Sequence, residues 1–267
     1  MIKPMKIIFY SLAILLFIGP VFLLVLQSFT EVWQFSAGQS LTFQLDSYST
    51  LVSDPNIMEA TFWSLVIGAC VLVINLVIGL LSGKALSSSS FKGKSLLEAL
   101  FLAPILIPVL AIAMGLHLFM IRIGLADTWT GVVLIHLVPT LPYSIKIFHN
   151  AYHQFGNHLL EQAEILGATG FRQLHTIELP LLKPAIRSVT FLTIVISLSQ
   201  YAITAIIGGG RIITLPLVFF PFLQTANTSL MAAFSVWFAL LPFFMYLVVE
   251  LLLLLLPYTR KPWRNLR

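Results

Sequence analysis

Two clusters in this sequence have residue types that could carry chemistry. Gly93-Lys94-Ser95 matches the last three residues of a phosphate-cradling loop, in which backbone amides and a lysine hold a nucleotide. Such a loop needs a glycine five residues before Gly93, where Ser88 stands, and it must join a strand to a helix. The stretch therefore reads as a turn between two helices, with Lys92 and Lys94 facing lipid headgroups. His149 and His153 are four residues apart, which puts two imidazoles on one helix face, as in a metal pair. No glutamate stands between them in the order a metalloprotease needs, and no third ligand is near in sequence. These two, with His158 and His175, read as polar residues at a membrane interface. No Gly-x-Ser-x-Gly nucleophile elbow occurs. Cys70, the single cysteine, lies in an apolar run where packing is its natural role. The expectation is a chain that is not an enzyme, with no catalytic residue, no metal and no cofactor of its own.

The elements that position these residues are dictated by a bilayer. Of the 267 residues 58% are apolar and 9% charged, whereas soluble domains carry roughly 25% charged residues. Six apolar stretches are long enough to cross about 30 Å of hydrocarbon as helices: Ile7–Leu26, Phe62–Leu81, Leu97–Met120, Thr130–Ile147, Ile186–Ile207 and Leu230–Leu256. The first is longer than the roughly 7–15 residues of a signal-peptide core and has no small-x-small site after it, so it is expected to be a retained helix. Prolines interrupt four stretches, at Pro20, Pro104 and Pro108, Pro139 and Pro142, and Pro242, and kinks are expected there. Gly79 and Gly83 form a small-xxx-small pair that would let a second helix approach.

Of the 15 Lys and Arg residues, all but Arg122 and Arg211 fall on one side if both termini are cytosolic. The outer segment from about Gln27 to Thr61 carries Glu31, Asp46, Asp54 and Glu59 and no basic residue. The net charge of +5 is thus spent at a headgroup surface, which excludes nucleic acid as the partner it serves.

One connection is long, from about residue 150 to 185, between the fourth and fifth stretches. Long ordered loops tend to be functional. Asn157 is an expected N-cap, and Glu161 and Glu164 lie near the positive end of the helix that follows. Leu159, Ala163, Leu166 and Gly170 recur at helical spacing. Gly167 and Gly170 are expected to end or bend that helix. A second short helix would then place Phe171, Leu174 and Ile177 on one side, stopped by Leu179-Pro180. A helix lying on the inner leaflet is the competing reading, but such helices usually carry Lys and Arg, and anionic lipid would repel Glu161 and Glu164. The charge sign favours docking to a soluble protein.

These residues resemble a known family. Permeases of bacterial ATP-binding-cassette importers carry Glu-Ala-Ala, three residues, Gly, nine residues, Ile-x-Leu-Pro in this loop. Glu161, Ala163, Gly167, Ile177, Leu179 and Pro180 stand at those positions with the same spacing, and Gln162 replaces the middle alanine. The resemblance implies an all-α membrane protein of six transmembrane helices with the type I importer permease (MetI-like) fold. It forms a single domain over 1–267 in the bacterial plasma (inner) membrane. It implies that the loop is a coupling helix seated in a separate ATPase subunit, which holds the ATP and Mg. It further implies a second permease subunit, homologue or copy, and a solute-binding protein.

Within that frame, Ser197, Ser199, Gln200 and Tyr201 in the fifth stretch either line the solute path or hydrogen-bond between helices. Gly208, Gly209 and Gly210 are either a hinge or outer gate or a plain turn. Glu250 is expected to snorkel or to pair with a basic neighbour. An ion-driven carrier would need ionisable groups at bilayer depth, and only Glu250 and Lys146 offer themselves, both near the inner interface. An intramembrane enzyme would need a catalytic constellation that the sequence lacks.

Overall fold

Hydrocarbon offers no partner to a backbone N–H or C=O, so each buried segment must satisfy its own. In the computed structural model of the chain, which describes residues 2–30, 42–156, 158–223 and 227–255, that requirement is met by helices. The one extended pairing among the described residues is an isolated bridge between Thr30 and Phe43. Asn157, Glu31 and the basic residues Arg260, Lys261, Arg264 and Arg267 lie outside the described residues.

Helix α1 (Ile2–Ser28) lies along the last helix and buries none of its spanning window inside the chain. After α2 (Asp46–Ser53), the Asp54 side chain accepts the Asn56 amide at 2.9 Å and Pro55 takes the first helical position, which starts α3 (Pro55–Ser88). Helices α4 (Lys94–Leu106) and α5 (Val109–Arg122) follow. The Thr128 hydroxyl caps α6 (Trp129–Phe155) by accepting the Gly131 amide at 3.1 Å. The loop elements are α7 (His158–Ile165), α8 (Gly170–Gln173), a π-helical turn (Leu174–Glu178) and α9 (Leu179–Leu181). Then come α10 (Lys183–Leu198), α11 (Tyr201–Gly208) and α12 (Leu215–Phe222). Last is α13 (Thr228–Leu254), whose Leu230 amide donates to the Asn227 side chain at 3.0 Å.

Four of these helices are singly long and apolar enough to span, and the count rises to six if each of two bent pairs, Lys94–Leu106 with Val109–Arg122 and Gly170–Leu181 with Lys183–Leu198, forms one span. The expected third span is not one helix: α4 and α5 meet at 100°. Pro108 supplies no N–H and holds Ile107 extended, at φ −93°, ψ 134°. The expected fifth span is broken at Ser199-Gln200 into α10 and α11. Pro20, Pro139, Pro142 and Pro242 lie inside helices that run on without interruption.

The centre of the bundle is the seam between α3 and α6. A Cβ added to Gly79 would fall 2.1 Å from Ser144 Oγ, and one added to Gly83 would fall 2.6 Å from Phe148 Cβ and 2.7 Å from the His149 backbone nitrogen. The small pair therefore does bring two backbones together. Beside it, Asn75 Nδ2 donates to Thr140 Oγ1 at 2.9 Å and Ser144 Oγ donates to the Asn75 carbonyl at 2.6 Å. Bonds of this kind between membrane helices contribute about 0.6 kcal/mol each.

Gly83→Ala should lower the melting temperature of the purified chain, since overpacking costs about 1–3 kcal/mol. Gly115→Ala, where an added Cβ meets nothing within 4 Å, should leave it level or raised. Equal melting temperatures for the two variants would show that the seam is looser than described.

Candidate functional site

The loop between α6 and α10 is built as a rigid projection. Helix α7 ends because Gly167 turns left-handed, at φ +80°, and two bonds close the end: the Gly167 amide to the Glu164 carbonyl and the Ala168 amide to the Ala163 carbonyl, both 2.9 Å. This is a Schellman cap, and glycine adopts its φ without the Cβ penalty. Gln173 Nε2 donates to the Leu160 carbonyl at 2.8 Å and ties α8 back to α7.

The motif residues divide by position. Glu161 lies outward, 3.5 Å from His158 Nδ1. Ala163 is buried, and an added Cβ at Gly167 meets nothing. Ile177, Leu179 and Pro180 are half-buried, and Leu179 packs on the Phe148, Tyr152 and Leu182 cluster. Ile165, Leu166 and Phe171 are 84%, 86% and 80% exposed, so among the described residues the tip presents large apolar side chains left mostly uncovered, Phe171 with the His175 ring stacked beside it.

Two local expectations differ from what is seen. Phe171, in α8, is exposed and does not share the half-buried position of Leu174 and Ile177, which lie in the π turn that follows. Leu179-Pro180 does not stop the helix. Proline sits at the first turn of α9, where its missing N–H costs nothing, and the chain bends by 71° only at the junction with α10.

Sequence reasoning missed Glu178, the variable residue before Leu179-Pro180. Its side chain is 0% exposed. One carboxylate oxygen accepts from Lys84 Nζ of α3 at 2.7 Å and the other from the Tyr152 hydroxyl of α6 at 2.6 Å. Beyond the bend, Arg187 of α10 makes a two-pronged ion pair with Glu250 of α13, the basic partner expected for that carboxylate.

The polar group of the fifth stretch is split by the helix break. Ser197 is buried and its hydroxyl lies 2.9 Å from His136 Nδ1, while His136 Nε2 lies 2.9 Å from Thr204 Oγ1. Ser199 faces outward and bonds its own helix, at the Ile196 carbonyl. Gln200 occupies the break and Tyr201 stacks on Phe220 at 4.6 Å. His136 was also missed. Its sequence signal is a lone histidine followed by Thr140 and Ser144 at four-residue spacing. Near the loop, a recess of about 430 Å³ between α6 and α10 is lined by Asn150, Gln154 and Ser188 with apolar walls.

Gly208 closes α11, and Gly209 and Gly210 take φ +53° and +74°. A Cβ on Gly209 would fall 1.7 Å from Asp127 Oδ1, and the Asp127 amide donates to the Ile207 carbonyl at 2.8 Å. The turn is thus pressed against the α5–α6 connection. His149 lies 3.8 Å from Glu98, and its ring centre is 6.4 Å from that of His153. Among the described residues no three metal-ligating side chains come together.

Known proteins resemble this chain over most of its length. A family model described as "Binding-protein-dependent transport system inner membrane component" matches residues 75–256. The spermidine/putrescine transport system permease protein PotC of Haemophilus influenzae is 26% identical over 70% of this chain and 72% of its own. The trehalose/maltose permease protein MalG of Thermococcus litoralis is 27% identical over 70% and 73%. Among solved structures, a bacterial ABC transporter involved in import of the acidic polysaccharide alginate superposes with a TM-score of 0.72 at 16% identity, covering 93% of this chain and 95% of that one.

The cap makes a prediction. Gly167→Val should free the α7 end, raising amide exchange at Gly167 and Ala168 about 5- to 30-fold, the equivalent of the 1–2 kcal/mol cost of a left-handed non-glycine residue. Gly167→Asn should stay near the wild-type rate, since asparagine tolerates that backbone. Equal exchange in all three would remove the conformational role.

Proposed function

This chain belongs to the family of binding-protein-dependent transport system inner membrane components, and from that premise we propose how it moves a solute. It is a membrane permease subunit of a family of transporters, not of enzymes. The reading beyond that is carried by one observation: a capped, cross-tied loop holds Ile165, Leu166 and Phe171 exposed among the described residues. Apolar side chains held out on a rigid projection fit a groove in a soluble protein. The groove belongs to an ATPase subunit, which holds the ATP and Mg, and this chain holds no cofactor.

In this reading the chain crosses a bacterial plasma membrane six times, counting the bent α4–α5 pair and the broken α10–α11 pair as one span each. Both termini and the 161–180 loop are then cytosolic. A second permease, copy or homologue, completes the solute path, and a binding protein delivers solute to the outer face. ATP binding closes the ATPases on Glu161–Pro180, and the helices alternate between outward and inward opening. The path takes in the helix break, with Ser199, Gln200 and Tyr201 at its surface and Ser197 tied to His136 behind them. The recess by Asn150, Gln154 and Ser188 is its inner mouth. Gly208, Gly209 and Gly210 set the outer turn against Asp127.

The test is a crosslink. In a Cys70→Ser background, Ile165→Cys should join the chain to a nucleotide-hydrolysing subunit in native membranes. Gly167→Phe should insert normally yet lose ATPase stimulation by the loaded binding protein. An Ile165→Cys adduct that contains no such subunit, or full stimulation of Gly167→Phe, would refute the coupling reading.

A further inference from the structure

We propose that the Glu178 carboxylate is the positioning residue that carries movement of the 161–180 loop into α3 and α6. The inference rests on the coupling reading above and adds to it the atom through which force leaves the loop.

A fully buried carboxylate needs a reason. Replacing a buried ion pair by apolar groups of similar size often leaves a protein as stable or more so, so such a pair contributes specificity of placement more than stability. Here both oxygens are used, and on different helices. Lys84 is 94 positions away in sequence and Tyr152 is 26. Hydrogen bonds fix distance and direction together, while the apolar contacts of Leu179 beside them can slide. Glu178 also closes a π turn, a local widening found often at functional sites.

Its place relative to the bend completes the argument. Glu178 precedes the 71° bend and binds α3 and α6. Arg187 follows the bend and binds α13 through Glu250. A displacement of the loop is therefore delivered to two helix groups by two separate polar links, and Glu178 is the one before the hinge.

The experiment uses the importer complex with its ATPase, in nanodiscs, with no solute needed. Ser188→Cys in a Cys70→Ser background reports on the recess through its rate of labelling by a polar maleimide. Mg-ATP with vanadate should change that rate in the parent by about 5- to 150-fold, the span of typical coupling between sites. With Glu178→Gln the change should vanish while the Ile165→Cys crosslink to the ATPase keeps its yield, and Lys84→Met and Tyr152→Phe should each weaken the response. Glu178→Leu combined with Lys84→Met restores apolar packing without the directed bonds, and the response should stay lost.

An undiminished response in Glu178→Gln overturns the proposal, as does recovery in the Leu and Met pair. Both leave the coupling reading standing, because the crosslink persists. Absence of the crosslink in the parent chain removes the coupling reading and this proposal with it.

Discussion

A backbone group in hydrocarbon has no partner outside its own chain, and the arrangement follows from how each segment meets that demand. Helices α1, α6 and α13 continue across Pro20, Pro139, Pro142 and Pro242 because a helix that loses one bond still satisfies the rest. Where the helix does break, local groups take over. At Ser199-Gln200 the Ser199 amide reaches the Val195 and Ile196 carbonyls, and the Thr204 hydroxyl donates to the Gln200 carbonyl. One group of polar side chains meets the same demand in an interior seam. Asn75, Thr140, Ser144, His136, Ser197 and Thr204 bond to one another or to nearby carbonyls between α3, α6, α10 and α11.

The seam and the loop contacts are continuous. Gly83, where an added Cβ would fall 2.7 Å from the α6 backbone, is followed directly by Lys84. Phe148, which fills the space opposite Gly83, lies one turn before Tyr152. Glu178 therefore grips α3 and α6 just beyond the place where sterics already lock them together. A push on the loop acts on a joined pair, since neither helix can slide without moving the methylene-free surface of its neighbour.

The long spans were legible because composition and length settle them: α3 and α6 follow from apolar runs and extend beyond them at both ends, and α13 is shifted two residues towards the N-terminus from the run expected. The loop motif was legible by spacing, and Gly167 by its type. The kink expected at Pro108 is present, but which of the prolines would bend its helix was not legible, nor was the break at Ser199-Gln200, which has no proline. Pro139 and Pro142 are buried within an unbroken α6 and Pro108 faces outward at the 100° turn, yet Pro20 is also exposed and α1 runs on, so exposure alone does not decide the bend. Glu178 was hidden for a different reason. It occupies the motif's free position, and its meaning lies in partners on two other helices. The same is true of His136, an ordinary core histidine until Ser197 and Thr204 are placed against it.

Magnitudes bear on whether such a loop can transmit force. Burying a large apolar side chain is worth about 1.5–3 kcal/mol, so a partner covering Ile165, Leu166 and Phe171 grips the tip with several kcal/mol. Removing one member of a fully buried ion pair costs about 3–5 kcal/mol, a figure that the 39% exposure of the Lys84 side chain reduces, while Tyr152 gives Glu178 a second donor. The inner link does not outweigh the grip on three covered side chains at the tip. It transmits by direction instead: two hydrogen bonds to two helices fix where the carboxylate stands, so a displaced loop carries α3 and α6 with it along a defined line.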